Sequence, residues 1–130
     1  MEKLNTASRA LETLESILDE PFSEIVRDAT VQRFEYSFEA CWKSLKAYLA
    51  QEEGIVCNSP KSCFRAALRI GLLGEEEVET ALEMTDERNM TSHTYIEAVA
   101  RRVYGQTPKF AGFMRSLVEA MRARLGGSAR

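Results

Sequence analysis

The sequence contains very little histidine, and this scarcity limits the chemistry available to one chain. His93 is the only histidine among 130 residues. A zinc site made of several histidines is therefore excluded within one subunit, and so is an acid–base mechanism that needs two of them. His93 and Glu97, one helical turn apart, would supply only two ligands, so we expect no metal site on this chain.

Cysteine is also scarce, and its number is odd. The chain has Cys41, Cys57 and Cys63 and no Cys-x-x-Cys pair. Secreted disulfide scaffolds are denser in cysteine and usually have an even count. We therefore expect reduced thiols in a cytoplasmic protein. Cys41 could act as a nucleophile with His93, but its place on an apolar helical face favours a position in the core.

Long hydrophobic runs are absent, and none approaches the roughly 18 apolar residues of a membrane span. Residues 1–18 mix acids and polar residues with apolar ones, which is not the pattern of a signal peptide. A chain of 130 residues that is 45% hydrophobic fits one domain with its own core. We assign residues 1–125 to a single helical-bundle domain and residues 126–130 to a flexible tail.

Apolar residues recur every three or four positions along almost the whole chain, which predicts α-helices. One stripe runs from Leu4 to Leu18, and the helix that carries it is predicted to end before Pro21. A second stripe runs from Val31 to Tyr48 on a helix over about residues 23–52. Ser59 followed by proline predicts the start of a third helix.

The remaining helices are predicted from capping signals. A short acidic helix carries Val78, Leu82 and Thr85 inward. Thr94 and Glu97 form a capping box, which predicts a helix start near residue 95, and the Thr-Pro pair at 107–108 predicts another start. No strand pattern occurs. The predicted fold class is all-α: an antiparallel up-and-down four-helix bundle with an additional short helix.

Charge is unevenly distributed, although the net charge is only -3. Residues 75–87 contain seven acids and no base, whereas residues 98–130 contain seven bases and one acid. In one interpretation the two segments neutralise each other within or between subunits. In the other, the bases include an anion-binding surface made from Arg101, Arg102, Lys109, Arg115, Arg122 and Arg124.

The densest polar cluster is residues 88–95, Arg-Asn-Met-Thr-Ser-His-Thr-Tyr. Several of these residues form helices poorly, so the chain is predicted to turn here. A turn lets the side chains of Arg88, His93 and Tyr95 converge at a helix start, which suits a phosphate. The other interpretation is that His93 only caps or packs.

Aromatic residues follow the second stripe. Phe34, Phe38 and Tyr48 lie on it at helical spacing and are predicted to be core. Tyr36 lies off the stripe and Trp42 at its edge, so these two are candidates for an interface or a ligand groove.

Three strings in order resemble one known family: residues 33–49, RFEYSFEACWKSLKAYL; the fragments SPK, RA and GL at 59–61, 65–66 and 71–72; and residues 88–95. Together they resemble the HEPN-type nucleotidyltransferase substrate-binding proteins, helical partners of minimal nucleotidyltransferases. The resemblance covers about residues 4–120. It departs from the family at Ala81, where an aromatic residue is expected in part of a groove wall.

The resemblance implies a homodimer within a hetero-oligomer, paired with a separately encoded minimal nucleotidyltransferase in a toxin–antitoxin-like system. The partner would hold the metal and the nucleotide for the chemistry, and this chain would need no cofactor. Its substrate- or nucleotide-binding residues would be Arg88, Asn89, His93, Tyr95, Tyr36, Trp42 and Lys43.

The resemblance also implies an alternative, a metal-independent ribonuclease toxin with an Arg-x4-His-x-Tyr motif. His93 would be the general acid or base on the ribose 2′-OH, and Arg88 would stabilise the charge on the phosphorane. Adenylylation of Tyr95 by the partner would neutralise the toxin. A third hypothesis is a structural bundle whose dimer surface is its only function.

Overall fold

The computed structural model describes residues 1–91 and 95–128, and within them the chain forms five α-helices. No strand occurs in this part of the chain, which confirms the predicted all-α class. In chain order the helices are α1 (Glu2–Ile17), α2 (Glu24–Glu53), α3 (Pro60–Arg69), α4 (Glu75–Thr91) and α5 (Glu97–Ser128).

The first two helices have the predicted stripes and boundaries. The α1 stripe is buried from Leu4 to Leu14, but its last predicted member, Leu18, lies just after the end of α1 and is only half-buried. The α2 stripe from Val31 to Tyr48 is buried. The side chain of Ser23 caps α2 by accepting the Val26 N–H at 3.0 Å. Gly54 ends α2 with a φ of 67°, a left-handed conformation that glycine adopts without steric cost.

The third helix has the predicted start, but its cysteines differ from expectation. Ser59 and Ser62 form a capping box around the first turn. This turn brings Cys57 and Cys63 within 5.4 Å between Cα atoms, and they form a disulfide. The expectation of three reduced thiols is therefore wrong for this structure. With three cysteines, not all of them can form disulfides within one chain, but one disulfide and one free thiol are possible. The free thiol is Cys41.

The acidic helix is longer than predicted. It is α4, with 17 residues, and the short helix is α3, with ten. Val78 and Thr85 are buried as predicted, whereas Leu82 is only half-buried. Ala81 and Met84 are buried in its place. The helix α4 packs against α3, α5 and α2.

The two last predicted helices are one continuous helix, so the predicted start at Pro108 is wrong. The 32 residues of α5 pass through Pro108. Proline removes the N–H that would bond to Tyr104. The Thr107 hydroxyl does not cap a new helix but donates to the Val103 carbonyl oxygen at 2.8 Å. Buried side chains on both sides of the proline, Val103 and Phe110 among them, hold the helix together by packing.

The ends of α5 also differ from expectation. The helix begins at Glu97, two residues after the predicted start, and Thr94 of the predicted capping box lies outside the described residues. It continues to Ser128 and so includes residues 126–128, which the sequence assigned to the tail.

Aromatic rings join the helices in the core. Phe34 of α2 stacks on Phe110 of α5 with ring centroids 5.6 Å apart. Phe64 of α3 lies between Phe38 and Phe113, at 6.4 and 5.9 Å. Within residues 1–91 and 95–128, no helix has both the length and the apolar character to cross a bilayer.

The oppositely charged segments meet between α4 and α5. Arg102 donates to Glu87 at 3.0 Å, and Lys109 donates to Glu83 at 3.1 Å. The other bases of the candidate anion surface also have partners within the chain: Arg101 with Glu97, Arg115 with Glu15, Arg122 with Glu119 and Arg124 with the Ile70 carbonyl oxygen. Two of these six bases, Arg102 and Lys109, thus pair with the acidic segment, which supports neutralisation between the two segments at these positions.

Candidate functional site

Arg88, in the last turn of α4, lies in a cluster with residues of α2. Its Nη2 donates to Oε1 of Glu39 at 3.0 Å, and its guanidinium lies over the Phe38 ring at 5.9 Å. Nζ of Lys43 is 3.4 Å from the other Glu39 oxygen. We call Arg88, Glu39, Lys43 and Phe38 the Arg88 cluster. It places two cations, one of them stacked on a ring, around a single carboxylate.

Two buried donors in this region of α2 and α4 have no hydrogen-bond partner among the described residues. They are Nε of Arg88 and Nε1 of Trp42. A buried donor without an acceptor costs roughly 1–3 kcal/mol, so such groups are uncommon in folded proteins. The Arg88 side chain as a whole is 24% exposed. Arg88 can therefore be reached by a ligand, but its charge is already paired with Glu39.

Tyr95 has a different hydrogen-bond partner from Arg88. Its hydroxyl oxygen accepts a hydrogen bond from Nη2 of Arg27 at 2.6 Å. The phenol is 64% exposed, whereas Arg27 in the first turn of α2 is only 4% exposed. Arg27 also donates to Asp28 at 3.1 Å and lies 3.7 Å from Glu97. We call these four residues the Tyr95 cluster; the hydrogen bond to Asp28 raises the pKa of Arg27.

The sequence analysis did not predict the two partner residues, Arg27 for Tyr95 and Glu39 for Arg88. A signal for Arg27 was present, because it stands four positions before Val31 and so continues the buried stripe of α2 by one turn. An arginine on such a stripe needs a polar partner inside the fold. Glu39 had no comparable signal, since its contact with Arg88 spans 49 residues of sequence.

The other predicted site residues lie in several places. The Tyr36 hydroxyl is hydrogen-bonded to the Thr13 hydroxyl on α1, so this side chain faces α1. Trp42 is half-buried, with Lys46 at 6.0 Å over its ring. Asn89 is exposed on α4, and His93 lies outside the described residues. The structure thus brings Arg88 together with Lys43 and gives Tyr36 and Tyr95 separate partners.

The helix break predicted within residues 88–95 falls late in that segment. Asn89 and Thr91 are still helical, and the Thr91 hydroxyl donates to the Arg88 carbonyl oxygen at 2.8 Å. This is the local bond by which threonine competes with the helix backbone at a helix end. Arg88 therefore projects from a helix, and Tyr95 lies just ahead of the next one.

Cys41 belongs to the core, as the sequence favoured. It is 1% exposed, and burial raises the pKa of its thiol to about 12. A neutral, inaccessible thiol is not a nucleophile near neutral pH. Within the described part of the chain, no three histidine, cysteine or acidic side chains are grouped as metal ligands.

The five helices define an all-helical protein, and its Arg-x4-His-x-Tyr sequence runs from the last turn of α4 to Tyr95, just ahead of α5. The chain matches the family model described as "Nucleotidyltransferase substrate binding protein like" over residues 2–123, and it belongs to that family. This confirms the resemblance found in the sequence.

Relatives extend this result. A protein of Thermus thermophilus with a crystal structure is 44% identical, with a TM-score of 0.85 over 89% of this chain and 98% of that one. "Probable ribonuclease HepT" of Haemophilus influenzae is 36% identical over 98 residues, which are 72% of this chain and 66% of that protein. The match thus spans just under two thirds of that relative.

One further likeness concerns the fold alone. A tri-AMPylated HEPN toxin of Shewanella oneidensis, solved in complex with its MNT antitoxin, superposes with a TM-score of 0.77 at 15% identity. The superposition covers 94% of this chain and 95% of the toxin. At this identity the likeness shows that the helical architecture is shared.

Proposed function

We propose that this chain is the substrate- or nucleotide-binding subunit of a two-component system, paired with a separately encoded minimal nucleotidyltransferase as a toxin is with its antitoxin. The observation that carries the proposal is the family match over residues 2–123. The HEPN toxin with the same architecture, which was solved with an MNT antitoxin, supports such a pair. The partner supplies the metal and the nucleotide, and this chain supplies binding and acceptor groups.

The Arg88 cluster is the proposed binding site for an anionic part of the substrate or nucleotide. Arg88 and Lys43 provide positive charge, and the unpartnered N–H groups of Arg88 and Trp42 provide donors. Asn89, His93, Tyr95 and Tyr36 complete the proposed set of binding residues. A phosphate that binds Arg88 must compete with Glu39 for the guanidinium, so affinity of this chain alone should be modest.

Co-expression tests the pairing. The minimal nucleotidyltransferase of the proposed pair is expected to co-purify with this chain, and the complex is expected to bind ATP more tightly than the isolated nucleotidyltransferase does. Arg88→Ala should reduce that gain. Arg33→Ala is the matched control, because it makes the same change at an arginine that donates to the Thr13 carbonyl oxygen of α1 and is not part of the Arg88 cluster. Equal ATP affinity of the complex and the isolated nucleotidyltransferase would refute a binding role.

A second function, a ribonuclease toxin, is favoured by the relative named "Probable ribonuclease HepT". In that scheme His93 transfers the proton of the ribose 2′-OH, Arg88 stabilises the phosphorane, and adenylylation of Tyr95 neutralises the activity. Expression of the chain alone should then arrest growth, and His93→Ala should relieve the arrest. Harmless expression of the wild-type chain contradicts toxicity.

We also propose the finer architecture and assembly: an antiparallel up-and-down bundle of α1, α2, α4 and α5, and a homodimer within a hetero-oligomer in the cytoplasm. Support for the bundle comes from the register of contacts. Arg33 bonds to Thr13 while Ser37 bonds to Ala10. Likewise, α4 and α5 pair Glu87 with Arg102 and Glu83 with Lys109. Light scattering of the chain and of the complex tests the stoichiometry.

A further inference from the structure

The connection between Tyr95 and Arg27 combines an exposed acceptor with a buried donor. Tyr95 is 64% exposed, so most of the residue lies open at the surface, whereas Arg27 on α2 is only 4% exposed. The 2.6 Å hydrogen bond between them spans 68 residues of sequence. An exposed tyrosine without such a bond would sample several rotamers.

We propose that Arg27 is a positioning residue for Tyr95: it holds the phenol oxygen at a fixed place on the surface, ready to accept a nucleotidyl group. The inference rests on the second proposed function, in which the nucleotidyltransferase modifies Tyr95. What the inference adds is a role for Arg27 of α2, which sets how fast Tyr95 is modified.

The surroundings of Arg27 explain how a buried guanidinium can serve this purpose. Asp28 and Glu97 lie on two of its nitrogens, at 3.1 and 3.7 Å, and both carboxylates are more than half exposed. They balance the charge, so the third nitrogen is free to donate to Tyr95. Glu97 begins α5 directly after the segment that carries Tyr95, so Arg27 ties the start of this helix to α2.

The transfer itself involves a nucleoside triphosphate bound by the partner. The Tyr95 oxygen forms a bond to the α-phosphorus, and the bond from that phosphorus to the oxygen bridging to the β-phosphate breaks. Pyrophosphate leaves, and the phenol proton passes to a basic group of the nucleotidyltransferase. Arg27 occupies one lone pair of the phenol oxygen and leaves the other for the attack. Holding the nucleophile in place raises the fraction of encounters with productive geometry.

The test measures transfer from ATP, with Mg²⁺, in the complex of the full chain with its nucleotidyltransferase, followed by intact mass and peptide mapping of Tyr95. Arg27→Gln should lower the kcat of transfer by roughly tenfold or more without changing the KM for ATP, because Arg27 is not among the proposed nucleotide-binding residues. Arg27→Lys should show a smaller loss, since it keeps a cation but not the planar donor set. Arg33→Gln, which removes a charge elsewhere on α2, should transfer at the wild-type rate.

Thermal unfolding of each variant separates positioning from stability. Wild-type kcat in a folded Arg27→Gln protein would overturn the inference while leaving modification of Tyr95 intact. If Arg27→Gln does not fold, the same measurement is made on Arg27→Lys. A wild-type kcat in that variant would then overturn the inference. An equal loss in Arg33→Gln would also overturn it. If the wild-type chain is not modified at Tyr95, the proposed modification fails and this inference fails with it.

Discussion

At the scale of single residues, the Arg88 cluster shows a guanidinium that is bound but accessible. Arg88 is 24% exposed and Glu39 is 34% exposed, so water screens their ion pair. Exposed pairs of this kind contribute about 0.2–1 kcal/mol to stability. The stacking of Arg88 on Phe38 adds an interaction that does not depend on Glu39.

A double-mutant cycle measures the Arg88–Glu39 pair. Arg88→Ala, Glu39→Ala and the double variant should give a coupling energy of about 0.5–1 kcal/mol in urea unfolding, because the pair is partly exposed. The matched cycle of Lys43→Ala with Glu39→Ala should give less, since Lys43 is more exposed and its contact is longer, at 3.4 Å. A coupling of zero for the first pair would mean that Glu39 does not hold Arg88 in solution.

Cys41 gives a residue-scale prediction about pH. Its thiol pKa is about 12 in the fold against 9.0 for an unperturbed thiol, so above pH 9 the unfolded chain loses this proton and the folded chain keeps it. Stability should therefore fall as pH rises from 9 towards 12, by up to about 1.4 kcal/mol per pH unit from this group. The difference in unfolding free energy between wild type and Cys41→Ala, measured from pH 8 to 10.5, isolates the effect from other groups. A difference independent of pH would contradict it.

At the scale of the elements, periodicity predicted more than capping signals did. The stripes of α1 and α2 were predicted correctly because burial of one helical face leaves a repeat that is visible in the sequence. The helix start predicted at Thr107-Pro108 was wrong because a capping residue followed by proline is a local signal. Packing around Phe110 and Val103 overrides it, and α5 continues through the proline. The partners of Arg88 and Tyr95 were missed because each lies on a distant helix.

Replacement of Pro108 tests whether packing compensates for the proline. Pro108→Ala restores an N–H inside α5, and Pro108 is exposed, so little packing is lost. We expect unfolding free energy to rise by about 1–3 kcal/mol. Gly105→Ala on the same helix is the calibration, since an added Cβ there meets no atom within 4 Å and should add about 0.5–1 kcal/mol. A destabilised Pro108→Ala protein would show that α5 depends on the proline at this position.

The Cys57–Cys63 disulfide joins the α2–α3 loop to α3. Its cysteines are six residues apart, and closure of so short a loop stabilises a fold by about 2 kcal/mol. Dithiothreitol should lower the unfolding free energy of the wild-type chain by about that amount, and it should not affect a Cys57→Ala/Cys63→Ala variant. No response in the wild type, with both thiols shown to be reduced by mass, would mean that the bond adds nothing to stability.

At the scale of the whole molecule, charge is organised so that opposite segments face each other. Glu87 and Glu83 of α4 pair with Arg102 and Lys109 of α5 across the helix interface, and the other α5 bases of the candidate anion surface have partners elsewhere in the chain. Any role with RNA must then depend on a local site such as Arg88. Bulk positive charge is not available for it.

Release of the α5 bases should expose latent affinity for polyanions. Glu83→Gln with Glu87→Gln frees Lys109 and Arg102 from their ion pairs, so the double variant should elute from heparin at higher salt than the wild type. Glu76→Gln with Glu79→Gln is the matched control. It changes the net charge equally on the same helix, but among residues 1–91 and 95–128 neither acid pairs with a base. Equal shifts in the two double variants would indicate that net charge alone governs retention. A larger shift for the first would show that pairing between α4 and α5 hides the positive surface.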